Sequence, residues 1–273
     1  MAGYGNILVH LDGGPHNAAR LAVARELAQR HGAAVTAMYA VMPSFIEVPF
    51  ALEAAGPALQ ALKELDDERR QRAMALVEPM RRGTPKIEWA ESQGSAPVYD
   101  FVQQACYADL LLLGQREPVP HSSGVPADFV ESVVLGSGRP ALVLPHVGVP
   151  PAVGGTVLVA WKETPQAVHA LAGAMPMLER AQKVHVVAWG AEAAAAPLDI
   201  GRHLAAHGVK AEMHRFTDAP EALGDLLLSM AADLEADLVV MGCYGHSRAR
   251  ELVLGGATRT VLASMTVPVL MAH

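Results

Sequence analysis

The chain repeats itself, and that limits what it can fold into more than any other feature. Asp109 and Asp237 lie 128 residues apart, each just ahead of an apolar run, and Pro140 and Pro268 keep the same spacing. The stretch between them aligns without a gap, so the repeat means duplicated domains rather than a solenoid. Each copy opens on a short apolar strand that runs into turn residues. These are Ile7–Leu11 before Asp12-Gly13-Gly14, and Val157–Trp161 before Lys162-Glu163-Thr164-Pro165. Helical stretches follow at Asn17–His31 and Pro165–Arg180, with Pro165 suited to a first helical turn. Further strands are expected at Ala34–Ala40, Lys86–Glu91, Leu110–Leu113 and Pro140–Pro145 in the first copy. In the second they fall at Val184–Trp189, Lys210–Phe216, Leu238–Met241 and Val267–Met271. Strands alternating with helices in this way give a doubly wound parallel sheet in each half. The Pro/Gly-rich run from Pro145 to Gly155 separates the halves, which predicts domains at 1–147 and 154–273.

The halves differ between their second and third strands. The first carries a long segment, Pro43–Gly83, with a polar-faced helix over Leu59–Pro79. It reads as a solvated helix, with a lid over a pocket near Phe45, Val48 and Phe50 as the alternative. Composition excludes several classes of function. Asp and Glu total 28 against 21 Lys and Arg, which is wrong for a phosphate-neutralising face, and five Phe, five Tyr and three Trp are too few to build base-stacking platforms. No nucleic-acid partner is expected. No apolar run reaches the length of a membrane span. Cys106 and Cys243 form no metal or disulfide motif, and Met1–Asn6 lacks the features of a secretory leader, so a cytoplasmic setting is expected.

The stretch richest in chemistry runs from Met241 to Ala257, where Gly242, Gly245, Gly255 and Gly256 lead from a strand end to a helix start. Such glycines let backbone N–H groups approach a phosphate, and the helix start adds unpaired donors. It is neither a Walker loop nor GxGxxG. The Gly-x2-Gly-x9-Gly spacing resembles the universal stress protein family, as do the Ile7–His16 opening, the Gly245-His246-Ser247-Arg248 segment and the Thr266–Leu270 ending. The resemblance covers nearly the whole chain twice, as in tandem members. It implies two Rossmann-like parallel-sheet domains of strand order 3-2-1-4-5, packed about a pseudo-two-fold axis. It also implies ATP or ADP, with Mg2+, held by the glycine loop, although some members bind none.

Carried over residue by residue, the nucleotide-binding set falls in the second half: Trp161, Lys162, Thr164, Trp189, Gly242, Gly245, His246, Ser247, Gly255 and Gly256. Lys162 replaces the family's Asp, and Gly256 its hydroxyl residue. The first half keeps Asp12 and Gly114 but has Glu117 and Ala127-Asp128 at the remaining loop positions. Asp128 and Glu131 read there as a capping box, a substitute for bound phosphate. No catalytic residue and no metal site is expected. The 12 histidines offer no helical ligand pair better than His203 and His207, and no third ligand lies near those two. The expected function is stress-associated nucleotide binding or regulation. A weak ATPase or phosphotransferase and an interaction scaffold that binds no nucleotide, its pockets empty or holding an apolar ligand, are the alternatives. The expected partners are an adenine nucleotide, the other half of the chain through the strands at 140–145 and 267–271, and a second copy as a homodimer.

Overall fold

The computed structural model describes residues 3–47, 56–94, 96–116, 124–150, 152–189, 198–217, 222–243 and 256–273. The chain divides into two compact units, Gly3–Arg139 and Pro140–His273. In the first, β1 (Asn6–Leu11), α1 (Asn17–His31), β2 (Ala34–Tyr39) and a single turn α2 (Ser44–Glu47) lead to the long α3 (Pro57–Val77). Then come β3 (Ile87–Glu91), α4 (Pro97–Ala105), β4 (Leu110–Gly114) and α5 (Phe129–Ser137). Its strands run parallel in the order β3-β2-β1-β4. The strands are apolar because both faces are covered: Ile7, Val9, Leu11 and all of Leu110–Leu113 are buried.

The second unit begins with β5 (Ala141–Leu144) and β6 (Thr156–Trp161), then α6 (Pro165–Leu178), β7 (Lys183–Trp189), α7 (Ile200–Ala206) and β8 (Ala211–Phe216). It closes with α8 (Leu223–Asp233), β9 (Leu238–Gly242), α9 (Ala257–Ser264) and β10 (Val269–Ala272). Strands β8-β7-β6-β9-β10 are parallel, the 3-2-1-4-5 order expected of each half. β5 lies on the far side of β10 and is antiparallel to it, with Leu142 opposite Leu270. That pairing makes β10 an interior strand, and Val269, Leu270 and Met271 are fully buried.

The repeated aspartates explain the common frame. Asp109 Oδ2 accepts hydrogen bonds from the backbone N–H of Gly5 (2.8 Å) and Asn6 (3.0 Å), just where β1 begins. Asp237 does the same ahead of β6, accepting from Gly154 (2.8 Å), Gly155 and Thr156. Each carboxylate thereby pins the start of the first strand to the start of the fourth. A Cβ on Gly155 would stand 2.8 Å from Asp237 Oδ2, so only glycine lets the backbone come this near.

Two expectations change in detail. The polar helix of the first half is α3, docked through Ser44, whose N–H and hydroxyl both donate to Asp66, and through the Arg70–Glu91 ion pair. Only Ala73 and Val77 of α3 are buried, which fits the solvated reading; Val48 and Phe50, on which the lid alternative rests, lie outside the described residues. Asp128 does sit at the N-cap of α5, but it caps no backbone N–H and its carboxylate accepts from the Ser132 hydroxyl instead (2.9 Å). Its backbone (φ −105°, ψ 20°) is not extended, and an N-cap side chain turns back onto its helix from an extended backbone. Among the described residues no helix is long and apolar enough to cross a membrane.

If the aspartates set the frame, Asp237→Ala strands three backbone donors. It should cost about 1.5–3 kcal/mol in urea unfolding, the worth of hydrogen bonds to a charged group. Asp109→Ala should cost less, because its two bonds are exposed.

Candidate functional site

In the second unit the ends of β6, β7 and β9 bring together Trp161, Lys162, Trp189 and Gly242, as an open α/β sheet requires of a ligand site. Lys162 is exposed, and among the described residues its ammonium has no ion-pair partner. Trp189 stacks on Phe216, with ring centroids 6.3 Å apart and planes 22° from parallel. Its indole Nε1 is buried and has no hydrogen-bond partner among the described residues. A buried donor left unpaired costs about 1–3 kcal/mol.

Thr164 and Gly242 have roles within the fold. Thr164 is the N-cap of α6 and its Oγ1 accepts from the Ala167 N–H (3.4 Å). A Cβ on Gly242 would fall 2.5 Å from the Ala167 nitrogen, so this glycine lets the end of β9 touch the first turn of α6. Gly256 is the N-cap of α9, extended at φ −75° and ψ 159°, and as a glycine it brings no side chain of its own to cap the helix. The sulfur of Cys243 donates to the Ala272 carbonyl (3.3 Å), the passive role of a small buried residue. Gly245, His246, Ser247 and Gly255 lie outside the described residues, as does Glu117 of the first half.

The same end of the first unit is filled from within. Asp12 is buried and uses both carboxylate oxygens: Oδ1 accepts from the Gly14 N–H (2.8 Å) and Oδ2 from Arg20 Nη2 (2.6 Å). Arg20 Nη1 also donates to the His10 carbonyl (2.9 Å), and Asn17 brackets the turn through the backbone N–H and C=O of Asp12. The guanidinium lies over Gly114, where an added Cβ would meet Arg20 Cζ at 3.2 Å. The His10 ring stacks on Phe129, the first residue of α5, at a centroid distance of 4.1 Å, and meets Phe101 edge-on. In the second half the positions of His10, Asp12 and Arg20 hold Ala160, Lys162 and Ala170, so the plug has no counterpart. The sequence did carry a sign of it: Arg20 shares the inward face of α1 with Leu21, Ala24 and Leu27, where an unpaired charge has no place.

The universal stress protein family matches residues 155–273. Over these residues the chain carries a universal stress protein domain. Its fold is similar over 98% of the chain to a universal stress protein from Archaeoglobus fulgidus DSM 4304, with a TM-score of 0.71, 16% identity and 95% of that chain covered. A putative universal stress protein from Pseudomonas aeruginosa UCBPP-PA14 covers the same share, with a TM-score of 0.59, 15% identity and 92% of its own chain. A shorter universal stress protein, solved in complex with cAMP, covers 52% of this chain and 96% of its own at a TM-score of 0.32 and 22% identity. No curated protein matches the sequence.

The buried plug gives the first unit a pH signature. Burial drives the His10 pKa down to about 4, with Arg20 adding to the shift and Asp12 and the Ala40 carbonyl opposing it. His10 Nε2 donates to that carbonyl (2.9 Å), leaving Nδ1 as the acceptor that faces Arg20. Burial alone would raise Asp12, but Arg20, His10 and the bonds from Arg20 and Gly14 outweigh it and hold the carboxyl below its usual range. Below the ordinary histidine value of 6.5 the unfolded chain therefore takes up a proton at His10 that the folded chain refuses. Stability is full above that value and is lost as pH falls toward 4. Between pH 7 and pH 5 the native protein should lose about 2 kcal/mol that His10→Gln does not lose. Urea midpoints of both proteins at the two pH values measure the difference.

Proposed function

We propose that this protein binds one adenine nucleotide, ATP or ADP with Mg2+, in its second domain (154–273), as a regulatory protein rather than an enzyme. The first domain (1–147) keeps the fold with its own site closed by the Asp12–Arg20–His10 plug. The observation that carries this reading is the buried Trp189 Nε1, an indole N–H with no partner at the ligand end of the sheet. A ring nitrogen or ribose oxygen would satisfy it. Around it, Trp161 and Trp189 offer flat apolar surface for a base, and Lys162 offers a free cation for phosphate. The start of α9 at Gly256, an N-cap without a side chain, suits an anion, and Gly245, His246, Ser247 and Gly255 are assigned to the same phosphates. Mg2+ would be held chiefly by the phosphates.

Within the second unit β5 and β10 cover one another. Both are short apolar strands whose open edges would invite association.

Calorimetry on the full chain should give one nucleotide per chain. Lys162→Glu should weaken ATP by at least about tenfold, the 1.4 kcal/mol expected of losing one charge-assisted contact, without moving the melting temperature. Gly245→Glu, which puts a carboxylate in the loop, should abolish binding. Two equivalent sites per chain, or unchanged affinity in both variants, would overturn the reading.

A further inference from the structure

Near the start of β7 and on the edge strand β8, three metal-ligating side chains meet that are far apart in sequence. The register sets His185 opposite Glu212. His214 follows Glu212 by two residues and so points to the same face. His185 Nδ1 stands 3.2 Å from His214 Nε2 and 3.4 Å from Glu212 Oε2, and His214 Nε2 is 3.9 Å from Glu212 Oε1. One atom from each of the three residues lies within 4.8 Å of the others. A tetrahedral cation with bonds of about 2.0–2.1 Å holds its ligand atoms about 3.3–3.4 Å apart. The two shorter distances already match that figure. The third is closed by a small swing of Glu212, whose side chain is 67% exposed and free to move.

We propose that His185, Glu212 and His214 form a binding site for a divalent cation of the zinc class. Two imidazole nitrogens and one carboxylate suit Zn2+ and its transition-metal neighbours, whereas Mg2+ and Ca2+ take oxygen ligands. His185 is 8% exposed and fixed by its strand, so it supplies the buried anchor, and the other two ligands reach in from the outer strand. Three protein ligands leave one tetrahedral position for water on the solvent side. The site is separate from the proposed nucleotide site: His185 precedes Trp189 by four residues, about 13 Å along a strand. Its effect is mechanical. A cation here ties the edge strand β8 to β7, the same pair whose far end presents the Trp189–Phe216 stack.

The test uses the full chain, stripped with a chelator and titrated with Zn2+ against a chromophoric competitor. It should bind one tight equivalent. Glu212→Gln and His214→Gln should each weaken that equivalent by more than the about 10–100-fold that an orienting partner alone is worth. Both replaced residues are at least partly exposed, and circular dichroism of the metal-free variants checks that they remain folded. The rival zinc binder among the described residues is the His203–His207 pair on α7, whose rings are 4.9 Å apart. The double variant His203→Gln/His207→Gln should keep the tight equivalent. Co2+ should give the visible spectrum of a tetrahedral site in the native protein and not in Glu212→Gln. Unchanged Zn2+ affinity in Glu212→Gln and His214→Gln, or loss of the tight equivalent in the α7 variant, would overturn the proposal. Neither outcome bears on ATP binding, which is measured separately in the metal-free protein.

Discussion

Two carboxylates hold the architecture in register. Asp109 and Asp237 each stand at the foot of the fourth strand of a repeat and collect the backbone N–H groups that lead into the first. Their geometry fixes which residues of the two central strands face one another: Ile7 and Leu110 in one unit, Val157 and Leu238 in the other. A slip of one residue would turn every core side chain of a strand to the opposite face. With the central pair set, right-handed crossovers leave little choice for the remaining strands. The aspartates also account for glycines that need no ligand to explain them, Gly155 above all.

On this shared frame the repeats have diverged in polarity at one end. The first encloses an ion pair, an imidazole and two aromatic rings where β1 and β4 end. The second replaces the imidazole and the guanidinium with alanines and the carboxylate with an exposed lysine. Removing only one member of a buried pair leaves an unsatisfied charge, at a cost of about 3–5 kcal/mol. Asp12 and Arg20 must therefore be kept or lost together, and here each repeat has done one of the two. In the second unit it is the backbone of α6, at Gln166 and Ala167, that comes down onto Gly242. That glycine serves helix packing, whatever the loop beyond it does.

Much of this was legible in the sequence, and for physical reasons. Strands buried on both faces are short apolar runs, and the unbroken 128-residue spacing of Asp109 with Asp237 and of Pro140 with Pro268 fixed where the elements recur. The order of the strands in the second unit is the one that the family resemblance implied. Side-chain partnerships were less legible. Asp128 occupies the N-cap position that its pattern suggested, yet its backbone angle sends the carboxylate to Ser132. His185 and His214 are 29 residues apart. Helical spacing does not pair them, because only the alignment of β7 with β8 makes them neighbours. Arg20 is legible only through its place on the inward face of α1, beside Leu21, Ala24 and Leu27.

The antiparallel seating of β5 on β10 has a consequence for how the protein is made. About 125 residues separate the two strands along the chain, so the ribosome works on the order of ten seconds between them. Throughout that interval the edge of β5 that will receive β10 has no partner from its own sheet. An apolar strand waiting in this state is open to the wrong neighbour, including the same strand of another nascent chain on a crowded polysome. The four-residue length of β5 and the Pro145 that follows it keep that edge short. Synthesis rate and chaperone supply should thus matter more to the yield of this protein than its native stability would suggest.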